Sequence, residues 1–179
     1  YALDANTTGN YNTAVGNSAL SANTTAIENT ALGYTALAAN TTGAYNTACG
    51  SSSMSTNTTG TKNVAVGRAT LAYNTTGNYN VAMGYHALID NTDGHSNTAI
   101  GYLAGHNITT GDYNVAIGHD SLAALTTIGQ LTAVGRAAMM SNTSGIQNVA
   151  IGYGAMQNNT SGGSNTALGY SALLTNTTG

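Results

Sequence analysis

Residues 29–45 read NTALGYTALAANTTGAY, and residues 46–62 start the phrase again as NTACGSSSMSTNTTGTK. Residues 12–28, NTAVGNSALSANTTAIE, are a third copy. The period is seventeen residues. Its first position carries Asn12, Asn29, Asn46, Asn63, Asn80, Asn97 and Asn114, is interrupted by Leu131, and resumes at Asn148 and Asn165. No insertion or deletion breaks the register, so residues 1–179 form a single array of about ten and a half repeats. A fixed period of this length is the signature of an architecture in which each unit is stacked on the next.

Comparing repeats shows what each position tolerates. Position two is Thr or Val, position three is Ala in every repeat, and position four is always apolar. Position five is invariant glycine: Gly16, Gly33, Gly50, Gly67, Gly84, Gly101, Gly118, Gly135, Gly152 and Gly169. Position nine is Leu or Met except at Gly105, and positions twelve to fifteen usually spell Asn-Thr-Thr-Gly. Positions one to four favour a short strand. Glycine at five permits a tight bend. The Ala and Leu of positions seven to ten are expected to form a second short extended segment, and Asn-Thr-Thr-Gly supplies a turn. A helix would carry glycine and threonine in its interior at a cost of up to ~1 kcal/mol per glycine. The expected fold is therefore an all-β parallel β-roll or β-solenoid, seventeen residues and two short strands per coil. Coils stacked at ~4.8 Å would give a rod roughly 50 Å long. Asparagines at positions one and twelve would form ladders along the axis, side-chain amide to side-chain amide.

Composition agrees with a packed fold and excludes several functions. Only 5% of residues are charged and the net charge is −3, so no basic field exists for nucleic acid. Hydrophobic residues make up 41%, and proline, which would remove a ladder hydrogen bond, is absent. One cysteine allows no internal disulfide, and Cys49, at the apolar fourth position, reads as a buried small hydrophobe. No apolar run is long enough for a membrane-spanning helix.

The strand alternation places Thr/Val and aliphatic residues of positions two and four on one face. Asn and the unvarying Ala of positions one and three take the other. Neither face looks solvated, and a thin coil buries only one of them. The second face calls for a partner, and the invariant alanine suggests close approach of another backbone there. Association of several copies side by side is therefore expected.

The phrases NTAVGNSAL (Asn12–Leu20) and NVAIGHDSL (Asn114–Leu122) resemble the head repeats of trimeric autotransporter adhesins. The whole array also resembles the NTAxGxxAL arrays of phage and bacterial tail-fibre-type proteins. The resemblance implies a left-handed, trimeric β-roll in an extracellular fibre, at a cell surface or on a virion. The repeat is longer than is usual in the adhesin heads, with the extra length in the Asn-Thr-Thr-Gly turn. The residues contain no coiled-coil stalk, membrane anchor or chaperone domain, so the mode of attachment does not carry over. Both ends fall mid-phrase without a cap, which leads us to expect a longer array or end-to-end continuation by neighbours.

Catalytic and metal chemistry find little footing. Asp4, Glu28, Asp90, Asp93, Asp112 and Asp120 are scattered over the repeat, and His86, His95, His106 and His119 occupy four different positions. No catalytic, metal or cofactor site is expected, and no enzyme activity. The tyrosines are ordered instead. Tyr34, Tyr85, Tyr102, Tyr153 and Tyr170 follow the glycine, at position six. Tyr11, Tyr45, Tyr79 and Tyr113 sit at position seventeen of alternate repeats. Such columns would either stack along the rod or bind glycan or a cell surface. Asn-x-Ser/Thr recurs at Asn6, Asn23, Asn40, Asn57, Asn74 and Asn176, where a ladder bond and glycosylation would exclude each other. In residues 124–135, ALTTIGQLTAVG, the apolar Leu125, Ile128 and Leu131 replace Asn, Gly and Asn together and are expected to form one patch. Function reads first as a structural fibre segment, then as a dedicated adhesin head, and last as an ice-binding solenoid. Against the last, the invariant Thr of position thirteen lies in a turn, not on an outward strand face.

Overall fold

The computed structural model describes residues 1–179. It contains ten three-residue strands: β1 (Thr13–Val15), β2 (Thr30–Leu32), β3 (Thr47–Cys49), β4 (Val64–Val66), β5 (Val81–Met83), β6 (Thr98–Ile100), β7 (Val115–Ile117), β8 (Thr132–Val134), β9 (Val149–Ile151) and β10 (Thr166–Leu168). They lie in chain order in one parallel sheet. Each position pairs with its equivalent seventeen residues on, Thr13 with Thr30, Ala14 with Ala31, Val15 with Leu32. The protein is an all-β parallel solenoid with one repeat per coil. The N–H of Thr13 donates to Asn29 O at 2.8 Å in the coil ahead, and that of Gly33 to Val15 O at 2.8 Å in the coil behind. The strand is thus bonded on both sides in every inner coil.

Only one strand forms per coil, which corrects the expectation of two. Positions seven to ten are a turn in which φ is positive at seven and nine, and not at eight. Every residue at position nine has φ between 46° and 56°, leucines and methionines included. Left-handed backbone costs a non-glycine residue roughly 1–2 kcal/mol. It is offset because this conformation turns the side chain fully into the coil, as at Leu20, Leu37, Leu71 and Leu88. Burial of a leucine returns about 1.5–3 kcal/mol. The same backbone lets Leu37 N–H donate to Ser53 O at 3.0 Å, and Thr35 N–H donate the other way to Asn17 O at 2.9 Å. Turns here bond from coil to coil as strands do.

The faces of the sheet are also reversed from the expectation. The alanine column, Ala31 to Ala150, is fully buried inside the single chain, against the leucine and methionine column of position nine. Alanine is invariant because the coil is thin: opposite a leucine there is room for one methyl. The Thr/Val and aliphatic columns of positions two and four face outward. Leu32, Met83, Ile100 and Ile151 are more than a third exposed, and Cys49 is half-buried on this outer face, not in the core.

Candidate functional site

Two asparagine columns run through the interior, and they work differently. At position twelve, amide donates to amide along the axis: Asn23 Nδ2 to Asn6 Oδ1 (2.8 Å), Asn57 to Asn40 (2.8 Å), Asn74 to Asn57 (2.7 Å) and Asn91 to Asn74 (2.8 Å). At position one the side-chain oxygen instead accepts a main-chain N–H from the next coil, as when Asn29 donates to Asn12 Oδ1 at 3.0 Å. Both amides of a repeat then converge on one carbonyl. Asn46 and Asn57 donate to Gly60 O at 2.8 and 3.0 Å, Asn63 and Asn74 to Gly77 O at 2.8 and 3.1 Å. Two donors saturate the two lone pairs of that oxygen. Asn23, Asn40, Asn57 and Asn74 are buried with their amides committed, so a glycan could be added only by breaking the ladder. Asn57→Ala would leave Asn40 Oδ1 without a donor. An orphaned buried acceptor costs about 1–3 kcal/mol, and denaturant unfolding should register a loss of that size.

The position-twelve ladder is interrupted by Ile108 and Leu125, and the position-one ladder by Leu131. All three are fully buried in the core, and Ile128 packs against it. Leu125 and Leu131 thus lie in the same core that Ile128 packs against, and none of the three apolar replacements is fully solvated. The interruption has a visible cost: Asn91 Oδ1, facing Ile108 where the next asparagine would be, is the one buried side-chain polar atom without a partner.

The outer surface carries four columns side by side, at positions seventeen, two, four and six. Column four forms an apolar strip, flanked by column two, which is Thr in six coils and Val in four. Column six holds parallel ring stacks, Tyr85 on Tyr102 (centroids 5.4 Å apart, 9° between planes) and Tyr153 on Tyr170 (5.2 Å, 8°), with His119 on the far side of Tyr102 at 4.9 Å. Tyr34 stands alone in that column, and Tyr11, Tyr45, Tyr79 and Tyr113 are separated from one another by a non-aromatic coil. The chain has three lysine and arginine residues in all, and each lies one coil before a tyrosine. Lys62 Nζ is 5.0 Å from the Tyr79 ring centre, and Arg68 and Arg136 lie 5.5 Å from those of Tyr85 and Tyr153. Each also donates to the phenol oxygen, at 3.2, 3.0 and 2.8 Å. Sequence reasoning missed this pairing, although a search for cations seventeen residues before tyrosines would have found it.

The titratable groups are mostly used up locally. His95 Nδ1 accepts from Asn78 N–H at 2.9 Å, and His95 N–H donates to Asp112 Oδ1 at 2.6 Å. His119 Nδ1 pairs with Asp120 at 2.9 Å. His86 stacks on Tyr85, and its pKa is lowered, first by burial and then by the Arg68 charge, with Asp90 opposing. No three His, Cys, Asp or Glu side chains gather in a way that could hold a metal ion. No helix is long and apolar enough to cross a membrane. The class that fold and surface define is a β-solenoid repeat protein. Comparison with protein-family models, with curated proteins and with solved structures finds no match to the chain.

Proposed function

We propose that the chain is a structural segment of an extracellular fibre, built as a left-handed β-roll whose copies associate side by side in threes. The observation that carries this is the apolar strip of column four, flanked by the Thr and Val of column two, which runs along all ten strands and is left half-exposed by the single chain. An exposed apolar column of that length marks an association site. A rod whose every coil is hydrogen-bonded to the next suits a load-bearing or spacing role. Equilibrium sedimentation tests the association at up to about 100 µM, where an interaction worth roughly 5–6 kcal/mol becomes visible. A mass of three chains is expected, reduced to one by Ile100→Lys with Ile151→Lys while the circular dichroism is unchanged. A wild-type chain that stays monomeric at that concentration overturns the reading.

The alternative, an adhesive head for glycan or a cell surface, draws on column seventeen, where Tyr11, Tyr79 and Tyr113 are exposed with no aromatic neighbour. Retained stability with lost surface binding in Tyr79→Ser/Tyr113→Ser would favour it. Ice binding has less support. The Thr hydroxyls of position thirteen are spent on the next coil's carbonyl, as in Thr58 Oγ1 to Thr75 O at 3.0 Å and Thr75 Oγ1 to Thr92 O at 3.0 Å.

A further inference from the structure

We propose that Tyr85–Tyr102 and Tyr153–Tyr170 are sites of oxidative coupling, forming dityrosine bridges that staple neighbouring coils of one chain. Column six contains the succession Arg-Tyr-Tyr twice, four coils apart: Arg68, Tyr85, Tyr102 and Arg136, Tyr153, Tyr170. In both copies the arginine donates to the first phenol oxygen and caps its ring. In both, the second ring stacks parallel on the first at just over 5 Å. Equivalent positions in successive coils place the two rings nearly parallel, with centroids 5.4 and 5.2 Å apart, so that the two phenols of each pair are each other's nearest tyrosine partners. Both pairs are open to an oxidant, with Tyr85 39%, Tyr102 48%, Tyr153 44% and Tyr170 79% exposed. That exposure lets the rings hinge about their side-chain torsions from stacking distance to bonding distance.

The oxidant required is hydrogen peroxide acting through a haem peroxidase. Each phenol loses one electron to the peroxidase and its Oη proton to water. The two phenoxyl radicals join through a new bond between ortho carbons. The two ortho hydrogens then leave the rings as aromaticity returns, and the oxygens regain protons. In sum, two tyrosines and one hydrogen peroxide give one bridge and two water molecules. Phenols held in register react with each other before either meets a second chain, an advantage of proximity. The position-seventeen tyrosines provide a control within the molecule. They are two coils apart, roughly 9–10 Å at ordinary strand spacing, beyond the reach of a direct bond.

The test treats the full chain, dilute, with a haem peroxidase and hydrogen peroxide, then separates it on a denaturing gel. The expected result is dityrosine fluorescence on the single-chain band, mapped by peptide mass spectrometry to Tyr85–Tyr102 and Tyr153–Tyr170. Tyr102→Phe with Tyr170→Phe keeps the stacks and should abolish that fluorescence, whereas Tyr79→Phe with Tyr113→Phe should leave it unchanged. Bridges that map to other tyrosines, that occur only between chains, or that survive in the Tyr102→Phe/Tyr170→Phe chain overturn the proposal. So does an absence of bridges in the wild-type chain, and mapping on the wild type keeps the test valid should a variant misfold.

Discussion

Gly67→Ala is expected to break the stack at its own coil. The φ of Gly67 is +132°, a backbone that side chains rarely adopt, and an added Cβ would lie 2.5 Å from the carbonyl oxygen of Gly84 and 2.8 Å from its carbon. Neither atom moves away freely, because both belong to the main chain of the next coil and the oxygen already accepts a hydrogen bond from Thr70 Oγ1 at 2.6 Å. Backbone strain of about 1–3 kcal/mol and overpacking of about 1–3 kcal/mol sum to a loss of roughly 2–6 kcal/mol. In a solenoid the damage is local, since each coil touches only its neighbours. Hydrogen exchange should therefore accelerate around β4 and β5 before it does so in β1 or β9. The control is Gly154→Ala, at position seven, where φ is +61° and other coils place Ser, Thr, Ala or His at the same angle. Its nearest obstacle is the flexible end of Gln157 at 3.1 Å, so unfolding should change by less than ~0.5 kcal/mol. Equal effects of the two substitutions would contradict the close-approach account of the invariant glycines.

Register and period were legible in the sequence because a parallel in-register stack repeats every contact, so each constraint is written about ten times. The bend at position five was legible for the same reason, glycine being the residue that tolerates both the angle and the contact. The second strand was misread because left-handed backbone usually announces itself as Gly or Asn, and here Leu20, Leu37 and Met54 adopt it. What holds them there is the coil interior and the coil-to-coil hydrogen bonds, which no local propensity reports. The direction of the strand faces was misread on size. An unvarying alanine suits close approach of a foreign backbone and equally suits a thin interior facing leucine. Sequence alone does not tell these apart, whereas the buried Ala65 and exposed Met83 do. The asparagine columns were placed correctly as positions. At position twelve the amides bond to one another as expected, and only position one differs, because its side-chain oxygen meets a main-chain N–H before it meets another amide.

The second large effect is expected at Gly105 and Ile108, two departures from the repeat that compensate each other. Gly105 lacks the leucine or methionine that fills every ordinary coil, and Ile108 lacks the asparagine of the ladder. A Cβ built on Gly105 would lie 2.9 Å from Ile108 Cδ1, 3.4 Å from Leu88 Cδ2 and 3.6 Å from Ala116 Cβ. The isoleucine thus occupies the volume that a position-nine leucine would take. Ile108→Ala should empty it, at about 2–5 kcal/mol. Gly105→Leu alone should overfill it, at about 1–3 kcal/mol. Backbone strain is no obstacle to that leucine, because φ at Gly105 is +56° and position-nine leucines elsewhere sit at 50–52°. Gly105→Leu with Ile108→Asn restores the common coil and gives Asn91 Oδ1 a donor. The unpaired acceptor moves one coil on, to the introduced amide, which then faces Leu125. The double variant should be more stable than Gly105→Leu and than Ile108→Asn, with a coupling of about 1–3 kcal/mol in a double-mutant cycle of unfolding free energies. Additive effects would mean that the two positions do not share one volume, and that the ladder breaks at Ile108 for a reason other than packing.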